Sequence, residues 1–227
     1  MMVGFVWIGA LSGFGKNSFV HIRDRGLDYP LIVHVHAVVF VGWLVLFAVQ
    51  LALIRSHRVE FHKRLGLAGA GLAAVMVVLG PATALVSSTA RYAVTHATPV
   101  FLPIQMTNTI SFAGLVAAGL LLRGAPSAHK RLMLLSLFHI SAPGFNRLLN
   151  HIISAPLGRS VPGQFVDMFG FSVLLIVALG AYDLATRRRL HPAFVLGAVW
   201  SLAWQVLGIA GKVSDTGHAF SLYLIGH

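Results

Sequence analysis

The sequence predicts an all-α protein: a polytopic transmembrane helical bundle of six to seven spans, forming one domain over residues 1–227. Three observations carry that reading. Of the 227 residues, 57% are apolar and only 10% are charged, whereas a soluble domain carries about 25% charged residues. The apolar residues fall in runs long enough to cross a hydrocarbon layer of about 30 Å, which takes about 20 helical residues. The Lys and Arg residues lie in the short stretches between those runs, where they set orientation. Seven such spans leave only short connections, so no separate soluble domain fits. The chain has no cysteine, which excludes a disulfide framework, a thiolate metal site and a thiol nucleophile. Its net charge of +11 is spread over these connections rather than gathered in one patch, so nucleic acid is set aside as a partner.

Taken in order, residues 1–14 form an apolar stretch short for a span. It lacks the positive start and small-residue cleavage site of a secretory signal, and is expected as a seventh span or as a segment lying in the interface. Residues 31–54 make a full span in which His36, Trp43 and Gln50 recur every seven positions and so share a stripe. Residues 65–86 follow, interrupted by Gly80-Pro81, and then residues 106–122, with Gln105 and Asn108 at their start. Residues 132–153 carry His139, Pro143, Asn146, Arg147, Asn150 and His151 at spacings of three and four, which draws a polar line along one helix face. Residues 165–185 hold Asp167 near one end and Asp183 near the other, and residues 192–210 open just after His191 and carry Trp204-Gln205.

Orientation follows from the basic residues. Arg55, Arg58, Lys63 and Arg64 fill one connection, Arg123, Lys130 and Arg131 a second, and Arg187, Arg188 and Arg189 a third. Alternating spans put all three on one side, which the positive-inside rule makes cytoplasmic. The C-terminus is then expected outside.

At that basic rim, His62 and His129 begin two helices, Asp183 ends another and His191 opens the next. Three imidazoles and a carboxylate suit zinc or non-haem iron with one position open. Against this, no HxxxH or HExxH pair lies on one helix. Imidazoles snorkelling beside Lys and Arg, with Asp183 paired to Arg187 one turn away, would explain the same residues. The strings His62-Lys63-Arg64-Leu65 and His129-Lys130-Arg131-Leu132 recur 67 positions apart, an echo of a duplicated hairpin.

Towards the opposite surface, Arg147 sits deep in its span and needs a partner. Asp167 is the nearby carboxylate, so an Arg147–Asp167 ion pair is expected. With His36, Trp43, Gln50, Asn146 and Asn150, these residues could line a pocket for a polar-headed, lipid-soluble molecule such as a quinone. The segments 24–30 and 87–103 would close it. Alternatively, the same side chains only tie helices together, at about 1 kcal/mol per contact. Haem b is the weaker fit to the histidines, because His36 has no clear partner at matched depth except His151.

The strings "HVHAVVFVGWLVLFAVQ", "HKRLG", "AHKRLMLL" and "AYDLATRRRLHPA" resemble those of a group of small bacterial inner-membrane proteins with seven helices. The resemblance covers nearly the whole chain. It implies a bacterial inner-membrane location, and it implies that His36, Trp43, Gln50, His62, Arg64, His129, Arg131, Pro143, Arg147, Asp167, Asp183 and His191 occupy the group's motif positions. It names no reaction. Two functional readings stand on these residues. One is a metal- or haem-dependent membrane enzyme, an oxidoreductase before a hydrolase, acting on a lipid-soluble or quinone-like substrate. The other is a non-catalytic module that binds a lipid or pigment, or serves as an accessory subunit or homo-oligomer in contact with membrane lipid.

Overall fold

The computed structural model describes residues 2–26, 28–153 and 155–227, and the described residues form an all-α bundle. The elements run in order as α1 (Met2–Ala10), a π-helical turn (Leu11–Gly15), α2 (Lys16–Arg25), α3 (Leu31–Arg55), α4 (Val59–Thr95), α5 (Leu102–Leu121) and α6 (Pro126–Ile153). A 3-10 turn (Ala155–Leu157), α7 (Val161–Arg187), α8 (Pro192–Val213) and α9 (Asp215–Leu224) complete it. Among the described residues, α3, α4, α5, α7 and α8 are each long and apolar enough to cross a membrane. Even the shortest, α5 with 20 residues, measures about 30 Å at about 1.5 Å per residue.

The expected span at residues 132–153 is present within α6, yet α6 is more polar than those five helices and lies at the centre. Leu135, Ser136, Leu137, Phe138 and His139 are all buried in succession, which requires neighbours on every side. Those neighbours are α5, α7, α8 and the N-terminal segment. A helix so enclosed meets protein rather than lipid, and can carry polar residues that a lipid-facing helix could not. Close approach is bought with small residues: a Cβ on Gly197 of α8 would fall 2.6 Å from Leu135 and 3.1 Å from Leu132 on α6.

One expectation gains detail and another needs correction. Residues 2–14 are helical, with α1 passing into the π-helical turn and that turn directly into α2, so helix runs without a break from Met2 to Arg25. That turn packs against α6 so closely that a Cβ on Gly13 would collide with the Gly144 carbonyl. Residues 87–103 are not a loop over a pocket. Most of the segment continues α4 to Thr95, where His96 ends the helix with φ at 52°, the left-handed turn common at helix C-termini. No breaker intervenes between Pro81 and that point, and Pro81 itself is accommodated within the helix.

Candidate functional site

At the basic end of the bundle the sequence signals resolve into two separate clusters. The first is an ion pair. Arg131, in the second turn of α6, is 1% exposed and Asp183, near the end of α7, is fully buried. The guanidinium engages the carboxylate through two nitrogens: Nε donates to Oδ2 at 2.8 Å, and Nη2 donates to Oδ1. Arg131 Nη1 donates to the Ser127 carbonyl at 2.7 Å. The Asp183 Oδ2 also accepts the backbone N–H of His191 at 3.2 Å, so one carboxylate joins α6, α7 and the start of α8. His191 in turn caps α8, its Nδ1 accepting the Ala193 N–H at 3.1 Å. An imidazole nitrogen can accept only when unprotonated. Burial, then the like charges of Arg131 and Arg187, hold the His191 imidazole below its ordinary range, against the pull of Asp183.

The second cluster holds His62 and His129, the fourth residues of α4 and α6. Their rings lie 6.2 Å apart, edge to face. His129 Nδ1 bonds the Gly119 carbonyl at 2.7 Å, a group left free at the end of α5. His62 Nδ1 is buried with no partner, and Gln50 presents its backbone carbonyl to the same ring. The four side chains expected to share one metal therefore divide into His62 with His129 and Asp183 with His191. Among the described residues, no three His, Asp or Glu side chains are grouped so as to hold an ion. The sequence echo also divides: Arg64 is exposed beside Glu60 at 3.7 Å, whereas its counterpart Arg131 is buried.

Further into the bundle, the stripe on α3 faces inwards. Trp43 is buried and meets Phe112 of α5 edge to face at 5.3 Å. His36 stacks on Phe40 at 4.0 Å, and Gln50 approaches Gly66 on α4. His36 Nδ1, Trp43 Nε1 and Gln50 Oε1 are each buried without a hydrogen-bond partner, as is Asn108 Oδ1 on α5. Asn108 lies one helical turn from Phe112 and shares its face. These atoms mark out a seam between α3, α4 and α5 along which polar groups go unmet.

On the other side of α6, Asn146 Nδ2 donates to the Asp167 carbonyl at 2.8 Å and to its Oδ2 at 3.3 Å, tying α6 to α7. For the two residues expected as an ion pair, the described contacts are this one at Asp167 and, at Arg147, donation from Nη1 to the Pro143 carbonyl at 3.0 Å. Lys212 of α8 lies within electrostatic reach of Asp167 and donates to Gln164 Oε1 at 2.6 Å. The side chains of Asn150 and His151 lie outside the described residues.

Two features are not legible in the sequence. Arg131 reads there as one of the orienting charges, and only the position of Asp183 opposite it shows otherwise. His139, Ser172 and Gln205 form a buried chain at the centre: Gln205 Nε2 donates to Ser172 Oγ at 3.0 Å and lies 3.5 Å from His139 Nδ1. Three polar residues on three different apolar helices were the available signal, but periodicity cannot say which faces meet. No known protein family, curated protein or solved structure matches the chain.

Proposed function

We propose that this chain is a multi-pass membrane protein, with its basic connections on the cytoplasmic side of a bacterial inner membrane, that binds a ring-bearing, lipid-soluble molecule of quinone type between α3 and α4–α5. The observation that carries the reading is the row of partnerless polar atoms on that seam: His36 Nδ1, Trp43 Nε1, Gln50 Oε1 and Asn108 Oδ1. Within a bilayer no bulk water meets such groups, and each left unpaired costs free energy. A molecule with a flat ring and carbonyl or hydroxyl oxygens would supply the missing partners on the stretch it occupies, accepting from the indole N–H of Trp43 and donating to the Asn108 amide oxygen, while Gln50 lies about 10 Å further along α3 at about 1.5 Å per residue. Phe40, Phe47 and Phe112 surround these positions with aromatic surface suited to a ring. Entry from the lipid side is favoured because α3 is the least buried of the five apolar helices and packs chiefly on α4.

The test is a titration of purified protein in nanodiscs with a short-chain quinone, read by quenching of tryptophan fluorescence. Asn108→Leu and Trp43→Phe each remove one partner. Each should weaken binding by about two- to tenfold, as a hydrogen bond contributes about 0.5–1.5 kcal/mol. Unchanged affinity in both variants, or no saturable binding by the native protein, would sink the proposal.

A further inference from the structure

Taking the seam between α3 and α4–α5 as the binding site proposed above, we infer that it selects rings bearing an O–H donor. A ring-hydroxylated quinone or a quinol binds there in preference to a plain quinone. Three observations lead to this selectivity.

The first is the balance of donors and acceptors where the ring lies. Trp43 Nε1 carries an N–H that only donates, and Asn108 Oδ1 is an amide oxygen that only accepts. Both atoms are buried and unpartnered. His36 Nδ1, also buried and unpartnered, takes either role according to its tautomer, so it fits any of these rings. One fixed donor and one fixed acceptor therefore face the ligand. A plain quinone has carbonyl oxygens alone: it takes the indole N–H and leaves Asn108 Oδ1 unmet. A hydroxyl both accepts and donates, so a ring that bears one can meet both groups.

The second is spacing. The Trp43 ring meets Phe112 edge to face at 5.3 Å, which sets these two side chains next to each other. Asn108 lies four residues before Phe112 on the same face of α5, about 6 Å along the axis at about 1.5 Å per residue. That is close to the length of one six-membered ring with an oxygen at each end. A single ring therefore reaches from the indole to the amide.

The third is that the protein's own hydroxyls around Asn108 are committed elsewhere. Thr107 Oγ1 donates to the Ile104 carbonyl at 3.1 Å, and Thr109 Oγ1 to the Gln105 carbonyl at 3.0 Å. On α4, Thr83 Oγ1 donates to the Leu79 carbonyl at 2.7 Å. Ser111 lies a turn further along α5, where Trp200 of α8 bonds its carbonyl, and its hydroxyl makes no bond to Asn108. With no bulk water in the bilayer, the donor that Asn108 lacks comes from the ligand.

The experiment is an anaerobic calorimetric titration of the protein in nanodiscs with four short-chain ligands built on one ring. These are the plain quinone, its ring-hydroxylated form, the quinol, and the dimethyl ether of the quinol, which accepts but does not donate. The hydroxylated quinone, the quinol or both should bind about tenfold more tightly than the plain quinone and the ether, because a buried acceptor left unmet is costly. Which of the two does so identifies the source of the O–H. Asn108→Leu should bring all four to similar affinities, so the loss expected above for that variant is carried by hydroxyl-bearing rings. Trp43→Phe should weaken all four and keep their order. Size-exclusion profiles establish that each variant is folded. A plain quinone or ether bound as tightly as both hydroxyl-bearing ligands, or a preference that survives in folded Asn108→Leu, would overturn the selectivity and leave the seam standing as a binding site. Saturable binding by none of the four would overturn the seam itself, and the selectivity with it.

Discussion

His191 illustrates how one side chain couples protonation to structure. Its Nδ1 caps α8 by accepting the Ala193 N–H, and its imidazole is held below the ordinary value of 6.5 by burial and by Arg131 and Arg187. The unfolded chain therefore takes up this proton at a higher pH than the folded one. In that interval the unfolded state binds more protons, so stability rises with pH. The contribution is fully present above about pH 6.5 and is lost as pH falls below it, towards the depressed folded value. Unfolding midpoints measured from about pH 7.5 down to about pH 5 should fall more steeply for the native protein than for His191→Asn, since Asn also caps helices but does not titrate in this range. Parallel curves for the two proteins would show that the cap is insensitive to protonation.

At the scale of elements, the Arg131–Asp183 pair is the junction of three helices. α6 contributes the guanidinium, α7 the carboxylate, and the first backbone N–H before α8 is held by the same oxygen. Burying two charges is costly, and their attraction repays it only when the geometry is good and the remaining hydrogen-bonding groups are satisfied. Here both conditions are met, with the Ser127 carbonyl taking a further guanidinium N–H. Asp183→Ala leaves Arg131 buried without its counter-ion and should cost about 3–5 kcal/mol, read as a lower unfolding midpoint in detergent. The double variant Arg131→Met, Asp183→Leu should regain most of that loss, because no uncompensated charge remains, but not the contact to His191. An Asp183→Ala protein as stable as the native one would remove the pair from the account of stability. α6 shows the complementary effect: its polar residues are tolerated because α5, α7, α8 and the N-terminal segment stand between it and lipid.

For the whole molecule, short connections join α3 to α8 in turn, and Lys and Arg gather in and beside three of them, so alternating spans are expected to put those three on one side. The absence of native cysteine makes their sidedness directly measurable. Single substitutions His57→Cys, Gly124→Cys and Arg189→Cys fall in the basic connections, and Thr98→Cys and Arg159→Cys in the others. With a membrane-impermeant maleimide applied to intact cells, the second pair should label, and the first three only after permeabilisation. A mixed pattern within either set would overturn the alternating topology.

The fold class and most helix positions are legible in the chain because both are written in local quantities: the length of apolar runs, the spacing of polar residues and the placement of Lys and Arg. The stripe of His36, Trp43 and Gln50 was legible for the same reason, since a period of seven needs no knowledge of neighbours. Which stripes meet is set by packing. It drew His62 towards His129, sent Asp183 to Arg131 instead of to a shared metal with both histidines, and gave one of two near-identical strings a buried arginine and the other an exposed one. Those outcomes depend on how helices are rotated and packed against each other, and residues up to 67 positions apart carry no local signal of that rotation. The same holds for α6, which reads in sequence as a span with a polar line along one face and proves to be the centre of the bundle once its neighbours are in place.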